Sequence, residues 1–208
     1  RDAAPLFAAL TLATTPPLQL DMSQTQLRDA DVFKSLLGFA RAFASLTHLQ
    51  LSGCGLSDGQ LASLVQALHH GGSSRVETLD VGSNGGGAST TAALAAYLVH
   101  PSCCLTRVAL DNNRLGDGNG VTLATEGVAS SKTLRTLCLR RCGLGQKSGH
   151  ALVRALETNA TLLHLHLDHN LVQSAIIAAV DQGLAANRKV WCGDSSDSGA
   201  RERGSSAM

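Results

Sequence analysis

One spacing constrains this chain more than any other feature. From Leu134 the residues run Leu134-x-x-Leu137-x-Leu139-x-x-Cys142-x-Leu144, and the same frame recurs along the sequence. It fits Leu46, Leu49, Leu51, Cys54 and Leu56, then Val76, Leu79, Val81 and Asn84. It fits again at Leu105, Val108, Leu110, Asn113 and Leu115, and at Leu162, Leu165, Leu167, Asn170 and Val172. A weaker first copy is Leu20, Met22, Thr25 and Leu27, and Val190 with Cys192 reads as a truncated last one. The central apolar position falls at 20, 49, 79, 108, 137 and 165, so successive gaps are 29, 30, 29, 29 and 28. A period this regular makes each copy one supersecondary unit that cannot bury its apolar face alone, and the fold must be a stack of them. One copy departs from the frame: Gly86 stands where an apolar residue should follow Asn84, inside the run Gly85-Gly86-Gly87, and predicts a loose turn there.

Within a unit, alternating apolar residues such as Leu49 and Leu51, or Leu137 and Leu139, point to one side of a short strand and into the core. The Asn or Cys three residues later sits at the turn off the strand. There an Asn amide can bond the backbone of its own and the adjoining coil, and Cys54 and Cys142 fit the same small, half-buried slot. After the turn, Leu61, Leu64, Val65 and Leu68 follow helical spacing. So do Leu152, Val153 and Leu156, and more weakly Ile176, Ile177, Val180 and Leu184. Ser57 and Asp58 are the expected helix starts, with Asn159 and Asn187 the expected stops. Strands that return through helices are parallel.

The pattern resembles the leucine-rich repeat, L-x-x-L-x-L-x-x-N/C-x-L, in its long ribonuclease-inhibitor-like subclass, over roughly residues 17–191. That resemblance implies an α/β solenoid, a horseshoe with parallel β-strands on its concave face and α-helices on its convex face. The array is expected over residues 16–193, as about six repeats plus a truncated last strand. Residues 1–15 read as the helix of a preceding repeat or an N-terminal cap, leaving room for the array to extend upstream of Arg1. Residues 194–208 are polar, rich in Gly and Ser and without periodicity, and read as a disordered tail.

Composition narrows the function classes. The chain is 44% hydrophobic but only 3% aromatic, so its core is aliphatic, and its net charge of +1 gives neither a nucleic-acid footprint nor an acidic tail. No apolar run approaches the ~18 residues that span a bilayer. The six cysteines include no CxxC pair, and no signal segment opens the chain. That implies reduced thiols and a cytoplasmic location, with cytoskeleton or flagellum among the possible sites. Gly53-Cys54-Gly55 lacks a phosphate-loop lysine. The calcium-like Asp111 to Gly120 stretch has Leu115 and Thr122 where the EF-hand needs ligands. His69 and His70 are expected to be solvent-exposed at a helix end.

Strand parity then lists the outward residues. A first row reads Gln19, His48, Thr78, Arg107, Thr136, His164 and Lys189; a second reads Asp21, Gln50, Asp80, Ala109, Cys138, His166 and Trp191; a third holds Asp111, Arg140 and Asp168. The C-terminal half is the richer one. Arg140 is expected between Asp111 and Asp168, either as a cross-strand ion ladder or as an anchor for a partner's charges. Arg141 is expected at the rim near Asn112 and His169. Trp191 either caps the last edge of the core or anchors an interface. His164 and His166 beside Cys138 form a His-x-His pair that can chelate zinc, but a flat row splays its ligands. Cys138, His166 and Asp168 also form a nucleophile-base-orienter order, without a pocket or oxyanion donors. Neither a metal nor a cofactor is therefore expected.

The resulting expectation is a non-enzymatic scaffold that binds a partner protein through Asp80, Arg107, Asp111, Arg140, Arg141, His164, His166, Asp168 and Trp191, or serves as a subunit of a larger cytoskeletal or axonemal assembly. No nucleic acid or membrane is implied. The resemblance also reaches Ran GTPase-activating proteins and the sensor arms of NOD-like receptors, which remain alternatives. The Ala-rich convex stretches 92–96 and 175–179 leave binding through the convex side open as well.

Overall fold

A computed structural model describes residues 18–42, 45–70 and 75–197. The expected helix in residues 1–15, and the tail from residue 198 onward, lie outside the described residues. Among the described residues, six three-residue strands alternate with six helices. The strands are β1 (Gln19–Asp21), β2 (His48–Gln50), β3 (Thr78–Asp80), β4 (Arg107–Ala109), β5 (Thr136–Cys138) and β6 (His164–His166). The helices are α1 (Ala30–Ala42), α2 (Asp58–His70), α3 (Ala88–Leu98), α4 (Gly116–Thr122), α5 (Gln146–Thr158) and α6 (Ser174–Asp197). A π-helical turn (Leu123–Gly127) and a 3-10 turn (Val128–Ser130) prolong α4.

The strands pair in sequence order, all parallel, and the register is that of the repeat: Leu20, Leu49, Leu79, Val108, Leu137 and Leu165 stand side by side. All of these except Leu165 are buried, and so are Leu51, Val81, Leu110, Leu139 and Leu167, two residues further along each coil. Leu165 is half-buried because, among the described residues, no further strand stacks on β6. Strands lie about 4.8 Å apart whereas packed helices need about 8–10 Å, so stacking bends the array with the sheet on the inner side.

The turn off each strand is held as its residue types require. Asn84 donates from Nδ2 to Leu51 O, Val81 O and Gly82 O at 2.8–3.0 Å and accepts from Leu56 N. Asn113 and Asn170 repeat this between their own coils and the preceding ones. At the Cys positions the thiol takes the place of the amide, with Cys54 Sγ on Met22 O at 3.1 Å and Cys142 Sγ on Leu110 O at 3.2 Å. Burial pushes the Cys142 thiol up to about 11, so it stays protonated as a donor.

The Gly86 turn is not loose. Gly86 is buried, and its N–H donates to Asn113 Oδ1 at 2.8 Å. A β-carbon at 86 would stand 2.8 Å from that same oxygen. Asn113 cannot withdraw without giving up its bonds to Val81 O and Leu110 O. The glycine therefore lets the next coil approach where a side chain would hold it off. Gly86→Ala is expected to lower stability by about 1–3 kcal/mol, read from urea denaturation.

The closing strand expected at Val190–Cys192 does not form. Helix α6 runs unbroken through it to Asp197, and Asn187 does not stop it. Instead Asn187 Nδ2 reaches back to Asn159 O and Leu162 O, both at 2.9 Å. The physical reason lies in the register. Asn159 and Asn187 are equivalent, 28 apart, which aligns the inward pair Leu165 and Leu167 with Gly193 and Ser195. Those two residues offer no aliphatic surface to bury, and a strand there has nothing to hold it. His69 also departs from expectation: it is half-buried, stacked on Tyr97 with ring centroids 5.6 Å apart and 4.3 Å from the ring of His100.

Candidate protein-binding face

Because side chains alternate along a strand, the residues flanking each core-facing central residue emerge on the inner face of the sheet. On β4 to β6 these are Arg107 and Ala109, Thr136 and Cys138, His164 and His166. Arg107 and His164 are exposed, and His166 is half-buried. One residue pair beyond the strands, Arg140 lies between two carboxylates: its Nη1 is 3.4 Å from Asp111 Oδ2 and its Nε 2.9 Å from Asp168 Oδ2. Its backbone N–H also donates to Asp111 Oδ1 at 2.7 Å. The expected ion ladder is present. Arg140 and Asp168 remain open to solvent, at 39% and 62% side-chain exposure. The hydrogen bond from Arg140 holds the Asp168 carboxyl below its usual range.

Cys138 faces this cluster yet is only 1% exposed. Burial raises its thiol above the ordinary value, with the charges of Arg107, Asp111, Arg140 and Asp80 pulling in opposite directions around it. A buried, protonated thiol is a poor nucleophile. Burial lowers His166, and the neighbouring Arg140 lowers it further, so this ring is neutral at physiological pH. Asp80, half-buried on β3, has its carboxylate engaged with Gly82 N at 2.9 Å and marks the edge of the cluster. Asp80, Arg107, Asp111, Arg140, His166 and Asp168 are thus brought onto one surface with Cys138 beneath.

Arg141 stands one step outside this face. Its backbone is left-handed, φ 54°, as are Gln24, Ser83, Asn112 and His169 at equivalent places in other coils. Coil-to-coil bonds join them, Asn112 N to Arg140 O at 2.8 Å and Arg141 N to Asp168 O at 3.1 Å, so Asn112, Arg141 and His169 form an exposed row along the rim.

Trp191 is the site residue that the structure moves. It lies on α6, not on a seventh strand, and so is absent from the inner face. Its ring, half exposed, lies under the Arg135 guanidinium, 3.7 Å from the centroid, where the chain enters β5. Nearby, Arg188 Nη1 donates to Leu163 O at 2.7 Å. The last helix thus turns its side chains onto the entry edge of the sheet, a role the expected strand concealed.

Sequence reasoning also missed two carboxylates with a definite task. Asp58 and Asp117 are not confined to their own coils: each receives the backbone N–H groups that open the helix of the next coil. Asp58 accepts from Gly87 N, Ser89 N and Thr90 N at 2.7–2.9 Å, and from Thr90 Oγ1 at 2.7 Å. Asp117 accepts from Gly145 N and Ser148 N at 2.9 and 2.8 Å and from Lys147 N at 3.3 Å. The signal available was an Asp at the same phase of three repeats, Asp29, Asp58 and Asp117.

A leucine-rich repeat family profile matches residues 44–63, which span β2 and the turn into α2. The chain is a leucine-rich repeat protein. Its structure is similar to the tropomodulin C-terminal domain of Caenorhabditis elegans, with a TM-score of 0.57 at 16% identity over 92% of this chain and 96% of that one. It is also similar to an internalin of Listeria monocytogenes, with a TM-score of 0.52 at 16% identity over 88% of this chain and 49% of that one. These likenesses speak to fold alone. In sequence, the chain is 27% identical over 196 residues to the centrosomal protein of 78 kDa of Mus musculus, covering 81% of this chain and 24% of that protein. It is 26% identical over 193 residues to the human protein of the same name, covering 80% and 28%. The chain therefore spans about a quarter of the length of the curated relatives it matches. Among the described residues no helix is long and apolar enough to cross a membrane.

Proposed function

We propose that this leucine-rich repeat array is the protein-binding arm of an intracellular, centrosome- or cytoskeleton-associated scaffold, and that it grips its partner through the inner face of β4 to β6. The observation that carries this reading is the cluster itself. Arg107, His164 and the Asp111–Arg140–Asp168 ladder present charge of both signs and hydrogen-bonding groups from a rigid sheet, with Arg107, His164 and Asp168 exposed. Rigid placement lowers the ordering cost of association, and Arg is favoured where an interface is energetically decisive. The centrosomal relatives supply the setting, and their names point to neither the GTPase-activating nor the receptor-fragment alternative. Binding through the flat face needs no catalytic group, consistent with a non-enzymatic role.

The test uses side chains that hold nothing else in place. Arg107→Glu with His164→Glu reverses or adds charge at exposed positions of β4 and β6 and should leave the melting temperature within about 2 °C of the parent. Affinity isolation of both forms from centrosome-enriched extract, with quantitative mass spectrometry, should show one dominant partner lost at least tenfold in the variant. Equal recovery by both forms would contradict binding through this face.

A further inference from the structure

Among the described residues no strand covers the outer side of β6. His164 N donates to Arg135 O and His166 O accepts from Leu139 N, so the polar groups of His164 and His166 face β5. By alternation, the N–H and C=O of Leu165, and the N–H of Leu167, face the other way, where no strand follows. Leu163 O on that edge accepts from Arg188 Nη1, which leaves its second lone pair. A small cavity of about 130 Å³ opens here between Leu165 and Leu167 on one side and Ile177 and Val180 on the other. Leu171 and Ile177 of the same repeat are 78% and 37% exposed. Edge strands are ordinarily blunted by Lys, Pro, bulges or inward charges. The segment Leu163-His164-Leu165-His166-Leu167 carries none of these, and the chain's continuation at Gly193 and Ser195 stays helical.

That segment reads the same in both directions about Leu165. A strand placed antiparallel to its own copy is two-fold symmetric, as an isologous interface must be, and here the palindrome sets leucine against leucine and histidine against histidine. Placed antiparallel to a copy of itself, it sets Leu165 opposite Leu165 as a pair exchanging both backbone bonds, with each Leu167 N–H on the other copy's Leu163 O. His164 then stands opposite His166 twice. The core faces of both sheets stay on the same side, so Leu165 gains the cover that every other central residue of the array has. We propose that β6 pairs antiparallel with the β6 of a second copy, centred on Leu165, joining two six-stranded sheets into one.

Light scattering on the eluting chain, at about 100 µM, should give twice the 21.5 kDa chain mass. His164→Lys with His166→Lys sets lysine against lysine at both crossings and should return the single-chain mass, with dissociation promoted at least tenfold. His164→Glu with His166→Lys keeps the same substitution at 166 but sets glutamate against lysine, and should restore the double mass. Thermal melts of the two variants, read by circular dichroism, establish that both are folded. A parent chain of single mass overturns the proposal. So does a double mass that survives the two lysines, which would place the contact elsewhere. Failure of the glutamate–lysine variant to recover would overturn the antiparallel register.

Discussion

Leu137→Asp is expected to abolish the folded array, with loss of the cooperative thermal transition. Leu137 is fully buried at the centre of β5, between Val108 and Leu165 in neighbouring strands. Removing the leucine side chain alone forfeits about 3 kcal/mol or more. An unpaired carboxylate in an aliphatic core adds several kcal/mol, and its protonation only exchanges that penalty for a shifted pKa. Together these consume most of the roughly 5–15 kcal/mol that a domain has. In a repeat array the damage does not stay local, because each coil is stable only against its neighbours. Leu137→Ala is the companion measurement: it makes a cavity without a charge and should melt earlier yet cooperatively. A Leu137→Asp chain that still melts cooperatively near the parent temperature would mean that the register is wrong.

Asp58→Ala is expected to cost about 3 kcal/mol, an unusual loss for a residue that is not in the core. One carboxylate satisfies three of the N–H groups at the start of α3 and the hydroxyl of Thr90, which is wholly buried. Truncation leaves the part-buried Gly87 and Thr90 N–H groups without their acceptor, and it removes a negative charge from a helix N-terminus. Burial raises the Asp58 carboxyl more than any other single influence. The bonds from Thr90 and Ser89 together outweigh it and hold the group far below the ordinary range. The sign follows: a depressed folded pKa contributes stability that is fully present above the unfolded value of about 3.9 and is lost as pH falls below it. Asp117, also depressed, acts in the same direction. Acid denaturation of the parent should therefore steepen below about pH 4, and Asp58→Ala should flatten that slope. An unchanged acid slope in the variant would contradict the capping role.

How much of this was legible in the sequence follows from what each feature depends on. The strand register came through because five leucines and a valine repeat at nearly constant spacing, and a one-residue slip would expose every one of them. The turn residues came through because Asn and Cys can both donate to a carbonyl in a small slot. The left-handed rim row did not: Gln24, Ser83, Arg141 and His169 are not residues that announce a positive φ, and the coil-to-coil backbone bonds impose it. Asp58 was read as opening its own helix, a local signal, whereas its carboxylate acts on residues 29 to 32 positions later. Trp191 was misplaced because Val190 and Cys192 imitate strand alternation. The gap of 25 residues from Leu165 to Val190 breaks the 28–30 period, and weighing that gap would have argued for the helix.

For the candidate site, parity alone placed Arg107, Asp111, Arg140, His164, His166 and Asp168 on one surface. What it could not supply was engagement. Arg140 and Asp111 are tied into the ladder, and Cys138 lies beneath it, while Arg107 and His164 are left open to a partner.

The most direct test of the binding face is site-specific photo-cross-linking in cells. A photoreactive residue is placed at 107 or 164 on the inner face, or at 126 or 157 on the helical side, where Glu126 and Glu157 are exposed. Capture of the same partner from 107 and 164, with none from 126 and 157, is the predicted result. Capture from the helical positions alone would contradict it and assign the binding surface to the outer side of the array.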